Sequence, residues 1–107
     1  MINFKDMMAQ AQQMQFKLAE MQEKFADIEV AGEAGGGMVT AKMNCKGDML
    51  GLDISETLLA DTDKETLEDL IMAAINNASK AKDDRVESET KAMMAEMGLP
   101  EDTQLPI

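Results

Sequence analysis

The sequence predicts an α+β protein: one helix, a three-stranded antiparallel meander and a second long helix. Three observations predict it. Apolar residues recur at helical spacing from Phe4 to Ile28, alternate singly from Ile28 to Ile54, and return to helical spacing between Thr62 and Met97. The expected spans are 1–28 for the first helix, 28–54 for the sheet, 63–97 for the second helix and 98–107 for a loosely ordered tail, all in one domain over residues 1–107.

The first helix is read from Phe4, Met7, Ala11, Met14, Leu18, Met21, Phe25 and Ile28, a 3-4-3-4 spacing that makes a heptad seam, while five glutamines between Gln10 and Gln22 fill other faces. Twenty-five helical residues span roughly 37 Å, more than the ~26 Å that twice the radius of gyration of a compact chain this size gives. The helix therefore has to project or find a partner helix. The many methionines on this seam serve as flexible apolar packing, since no Cys or His accompanies them to make a soft-metal site.

Ile28 and Val30, then Val39, Ala41 and Met43, then Leu50, Leu52 and Ile54 alternate with other residues as three short strands with one buried face. Gly35-Gly36-Gly37 and Lys46-Gly47-Asp48 separate them. A phosphate-cradling glycine loop leads into a helix N-terminus, whose free N–H groups meet the anion. Here the glycines lead into the strand Met38-Val39-Thr40, and no Lys-Ser or Lys-Thr pair follows. They are hairpin glycines supplying positive φ.

Thr62 followed by Glu65 reads as a capping box for the second helix, and Leu67, Leu70, Ile71, Ala74, Ala78 and Ala81 form its core stripe, with an alanine-rich portion that another backbone can approach closely. From Lys82 to Lys91 only Val86 is apolar, yet no Pro or Gly interrupts, so the helix is expected to run past the core into solvent. Met93, Met94 and Met97 can engage something near its tip, and Gly98 ends it, with Pro100 just beyond.

Composition bounds the function. The formal charge is −11, from 10 basic against 21 acidic residues, and 12 of the 21 lie in residues 61–107. Such a field repels a polyanion at long range, so contact with nucleic acid requires a local basic patch. A single cysteine excludes an intramolecular disulfide framework and indicates a reducing, cytoplasmic setting. The longest apolar run, Leu70 to Ile75, is far short of a membrane span.

Catalysis has little to stand on. His is absent, and Cys45, near Lys42 and Lys46 which could lower its pKa, has no identifiable base partner. The run Asp61-Thr62-Asp63-Lys64-Glu65 suggests a calcium loop but has Thr66 where the glycine belongs and Met72 where the glutamate belongs; carboxylates at a helix N-terminus explain it better. No enzyme, metal, cofactor or small-molecule substrate is expected.

Three stretches in order carry a resemblance: Ala11-Gln12-Gln13-Met14-Gln15, then Glu29 to Val39 (EVAGEAGGGMV), then Leu67-Glu68-Asp69-Leu70-Ile71 with Ala73, Ala74, Asn76 and Ala78, before a closing Leu-Pro. From about Met8 onward the chain resembles the YbaB/EbfC family of nucleoid-associated proteins. The resemblance implies an α-β-β-β-α protomer, a tight homodimer shaped like tweezers with protruding helical arms, and DNA binding that organises the nucleoid or alters gene expression. Met14, Leu18, Met21, Phe25, Leu70 and Ala74 are the expected core and dimer seam.

Carried to this chain, the arm positions that would meet DNA are Lys17 and Lys24 on the first helix, with Lys5 near its start, and Lys80, Lys82, Arg85 and Lys91 on the last. At the start of the third strand, where the family often has basic residues, this chain has Met49-Leu50-Gly51. Pairs such as Lys80 with Asp84, Arg85 with Glu89 and Glu87 with Lys91 could instead serve only to hold an exposed helix, at ~0.2 to 0.5 kcal/mol each. The DNA binding expected is weak, sequence-tolerant and salt-sensitive. The alternative is a dimeric protein-interaction module whose Met-bearing arms grip another protein, or another copy of the chain, without significant DNA binding.

Overall fold

The computed structural model describes residues 3–98. Helix α1 (Phe4–Asp27) is followed by strands β1 (Glu29–Ala34), β2 (Val39–Asn44) and β3 (Met49–Ile54), a short helix α2 (Glu56–Asp61) and the long helix α3 (Lys64–Glu96). The sheet has the order β1-β2-β3, antiparallel throughout, as the alternation predicts. No described helix is long and apolar enough to cross a membrane.

Helix α2 is an addition to the sequence reading. Six residues are too few for a helical period to show, and its ETLLAD spelling buries only Leu58. A second correction follows from it. The cap of α3 is Asp63, whose carboxylate accepts from the Thr66 backbone N–H, while Thr62, the expected cap, ends α2.

One face of the sheet carries Val30, Gly32 and Ala34 on β1, and Val39, Ala41 and Met43 on β2. Helix α3 lies across β1 and β2 on that face, and Val39, Ala41, Met43, Leu58, Ala74 and Ala78 form the buried core there. The helix sits so close that a Cβ added at Gly32 would lie 2.1 Å from the Ala78 nitrogen and 2.5 Å from the Ala74 oxygen. Small residues on both sides make this approach possible. Asn77 fastens it by donating from Nδ2 to the Glu33 carbonyl at 2.8 Å. Gly35, Gly36 and Gly37 all have positive φ, so the hairpin reading of the glycine run holds.

Strand β3 departs from the expectation of one fully buried face. A bulge leaves Leu50 without a partner between the Lys42–Gly51 and Met43–Met49 pairs, and α3 does not extend over this strand. Leu50 and Leu52 remain 53% and 45% exposed.

The second core lies outside the sheet layer. The lower half of α1 packs along the last third of α3, burying Met21, Phe25, Cys45 and Met93 with Leu18, Ile28, Val86 and Met97 around them. The stretch of α3 expected to run alone into solvent is therefore half of a two-helix arm. The α1 seam supplies the apolar partner that KDDRVESETK lacks within itself. The arm explains a longest dimension of 71 Å and a radius of gyration of 19.4 Å, against about 13 Å for a compact chain of this length.

The seam is covered only in part. Met21 and Phe25 are buried and Met14 and Leu18 half-buried, but Phe4 and Met7 are 74% and 52% exposed, because α3 ends before it reaches them. On α3, Ala74 is buried and Leu70 half-buried. Gly98, at φ 75, takes the backbone out of the helix as expected. The expected tail falls outside the described residues from 99 onward.

Candidate nucleic-acid interface

The β2–β3 turn is bolted to the foot of the arm. The Cys45 N–H donates to the Phe25 and Ile28 carbonyls at 2.9 and 3.0 Å, satisfying acceptors at the C-terminal end of α1, and Asn44 Nδ2 reaches the Ala26 carbonyl. Asn44 Oδ1 accepts from the backbone N–H groups of Lys46 and Asp48, both at 3.0 Å, so a side chain inside the turn holds its shape.

This anchoring places Lys46, which the sequence reading did not select, in one cleft with Lys82. Gln22, Phe25, Cys45, Asp83 and Val86 complete its lining. The turn itself is legible as Lys46-Gly47-Asp48, but which helix it faces is a tertiary fact.

Five of the six expected contact residues separate into two groups, and Lys17 stands apart. At about 100° per residue, Lys80 and Lys91 lie about 20° apart around α3, while Lys82 and Arg85 lie about 60° apart on a different side. Lys24 of α1 meets Arg85 through Glu89, and Lys46 meets Lys82 in the cleft at the foot of the arm. Lys80 and Lys91 occupy another flank. Lys17 lies further along α1 toward the tip.

Most of these cations already have carboxylate partners. Lys24 Nζ is 2.8 Å and Arg85 Nε 3.0 Å from the two oxygens of Glu89; Lys17 Nζ is 3.4 Å from Glu96; Lys82 Nζ is 3.1 Å from Asp83; and Lys91 Nζ is 3.2 Å from Glu87. Two of the three anticipated helical pairs are present. The third is not: Lys80 has no carboxylate within 4.0 Å among the described residues, and Lys82 engages its neighbour Asp83. The hydrogen bonds from Lys24 and Arg85 hold the Glu89 carboxyl below the usual range.

Cys45 is buried, and burial, with Glu89 adding to it, raises its pKa against the opposite influence of Arg85 and Lys82. The charges expected to matter, Lys42 and Lys46, are not the ones that act on it. No cluster of metal-ligating side chains occurs among the described residues.

Comparison with known proteins gives this geometry a context. A model described as the YbaB/EbfC DNA-binding family matches residues 1–97. The chain is 42% identical over 106 residues to a nucleoid-associated protein of Granulibacter bethesdensis, with 99% of each chain covered. It is 38% identical over 100 residues to one from Afipia carboxidovorans, covering 94% of this chain and 95% of that one. A nucleoid-associated protein of Rickettsia akari is 38% identical over 106 residues, 99% of both chains. Among solved structures, an uncharacterized protein from Helicobacter pylori matches with a TM-score of 0.74 at 26% identity, covering 88% of this chain and 99% of that chain.

Proposed function

The chain belongs to the YbaB/EbfC DNA-binding family, and from that premise we propose how it holds DNA. It acts at the nucleoid as a homodimer whose two arms clasp duplex DNA through backbone phosphates, without reading base sequence. The observations that support this most are two meetings of cations from different elements: Lys24 of α1 with Arg85 of α3 on Glu89, and Lys46 of the hairpin with Lys82 of α3 in one cleft. Four cations there face two carboxylates, Asp83 and Glu89, that bond to them. The Lys80 and Lys91 flank has half as many.

Lysine and arginine contacts to phosphate release counterions, so affinity falls steeply with salt. In a chain of net charge −11 the local patch works against a repulsive surround, and the binding is weak. Phosphate contacts fix position and carry no sequence information. Dimerisation uses the inner face of β3, where Leu50 and Leu52 continue the apolar face of the sheet beyond the cover of α3. Two copies joined there double the cationic flank.

The protein-interaction reading, which the acidity also favours, loses the methionine tip as its support. Met93 and Met94 are buried within the arm, and Met97 packs beside them, so these methionines are occupied within the protomer. Fluorescence anisotropy with a labelled duplex, titrated at low and moderate salt, tests the DNA reading. Binding that is measurable at low salt and lost steeply on salt addition is the expected result. No binding at the lowest salt would return the interaction module as the better reading.

A further inference from the structure

We propose that the exposed tip of α1 is a second self-association surface, distinct from β3, on which the α1 tip of another copy lies antiparallel. Two ion pairs set the register of the arm. Lys24 faces Glu89 and Lys17 faces Glu96, so seven residues along α1 correspond to seven along α3 in the opposite direction. Helix α3 therefore runs out opposite Lys17, and Gly98 turns the backbone away. Phe4 to Phe16 extend about 20 Å further without a helical partner among the described residues. A helix of that length is marginal in water on its own.

The seam does not stop where its cover does. Phe4, Met7, Ala11 and Met14 continue the spacing that Leu18, Met21 and Phe25 use against α3. Placing a second α1 antiparallel pairs Phe4 of each copy with Met14 of the other, and Met7 with Ala11. Large residues then meet a flexible or small one at every layer, and both copies use the same patch, which closes the assembly around a twofold axis.

In this register the second copy's α1 begins where α3 ends. The cleft at that point, about 460 Å³ and lined by Gln10, Gln13, Met14, Lys17, Glu96 and Met97, receives its Phe4. The incoming helix N-terminus also follows the α3 C-terminus head to tail, so the two helix dipoles attract.

Charge favours a second copy at this place. Residues 3–16 contain one Lys and one Asp, a sum of zero in a chain of −11. Lys5 and Asp6 fall opposite Gln13 and Gln12 of the other copy, so no like charges meet. The patch is small compared with the roughly 1,200 Å² of a stable complex, so a single contact is weak. A dimer carrying two arms makes such contacts in pairs and gains by avidity.

Sedimentation velocity on the full chain without DNA, over a wide concentration range, tests this independently of the DNA reading. The wild type is expected to grow from its base species to larger ones as concentration rises. Ala11→Glu, which is exposed and keeps a good helix former, is expected to hold the base species and the wild-type helix content while weakening growth at least tenfold. Phe4→Ala is expected to weaken it to a lesser degree. A wild-type mass that stays constant overturns the proposal and leaves residues 99–107 or another protein as the cover of the tip. Growth unchanged by Ala11→Glu overturns it as well.

Discussion

Lys24 Nζ lies 2.8 Å from Glu89 Oε2, and this contact ties α1 to α3 across the arm, while Arg85 Nε holds the other oxygen of the same carboxylate at 3.0 Å. Glu89 is 17% exposed, so it is partly shielded, and it occupies two of the four cations on the flank assigned to DNA. In the DNA reading proposed above, it stands where a phosphate would stand. DNA has to compete with it.

Glu89→Gln is therefore expected to tighten DNA binding, by roughly two- to tenfold at low salt, and to steepen the salt dependence by about one to two in the log–log slope as Lys24 and Arg85 become available to phosphates. Glu87→Gln removes the same charge from the Lys91 flank and separates a local effect from one of net charge. Equal gains from the two variants would show that the flank carries no special role. Anisotropy titrations at three salt concentrations measure both.

The same carboxylate makes the arm acid-sensitive. The folded-state pKa of Glu89 is depressed, chiefly by the hydrogen bonds from Lys24 and Arg85. Its contribution to stability is thus complete above the ordinary glutamate value of about 4.3 and is lost as pH falls through the lower folded value. Asp63 behaves alike at the start of α3, where Thr66 donates to it. Urea unfolding followed by far-ultraviolet circular dichroism between pH 6 and pH 3 is expected to show wild-type stability falling at the acid end. The fall should be shallower in Glu89→Gln and in Asp63→Asn, and an unchanged slope in both would remove these groups from the acid response.

Two double variants discriminate the flanks. Lys46→Glu with Lys82→Glu is expected to weaken duplex binding by more than tenfold, and Lys80→Glu with Lys91→Glu by only a few-fold, at matched net charge. All four lysines lie outside the buried cores, so helix content should stay unchanged. The reverse order of losses would move the interface to the other side of α3.

How much of this was legible in the sequence depends on how far apart the causes lie. Val39, Ala41 and Met43, or Met21 and Phe25, announce their burial through spacing along one segment, and the structure buries all five. The partition of the basic residues did not show, because Lys80 and Lys82 are two residues apart in sequence yet point to different sides of a helix. Lys46 escaped notice because its partner lies 36 residues later, brought near by the contact of Cys45 with the end of α1. The exposure of Phe4 and Met7 escaped for the opposite reason: the seam is continuous, and only the point where α3 ends decides which part of it is covered.

Gly32 illustrates the same limit and gives a stability test. Its φ is not positive and it sits mid-strand, so nothing in the sequence singles it out, but an added methyl would enter the backbone of α3 between Ala74 and Ala78. Gly32→Ala is expected to cost about 3 kcal/mol or more, since the clash is with helix backbone and not with a side chain that can turn away. Gly36→Ala meets nothing within 4 Å and strains only a φ of 69, so it should cost about 1–2 kcal/mol. Thermal unfolding of the two variants ranks them, and a Gly32→Ala protein as stable as wild type would mean that α3 can lift from the sheet freely.

Leu52 tests the proposed assembly. It pairs with Ala41, which is fully buried, yet is itself 45% exposed because α3 covers β2 and not β3. In the proposed dimer a second copy completes this apolar face, of which α3 covers only the β1 and β2 strands. Leu52→Glu puts a charge into that interface while leaving the α3-covered core untouched, so the protomer should keep its helix content and lose its partner. Light scattering at low concentration is expected to give a mass near twice the 11.7 kDa chain mass for the wild type and near the chain mass for Leu52→Glu. DNA affinity should fall with it, since one arm alone offers half the phosphate contacts. A Leu52→Glu protein that remains dimeric would place the interface elsewhere, and a monomeric variant with undiminished affinity would make the second arm unnecessary for binding.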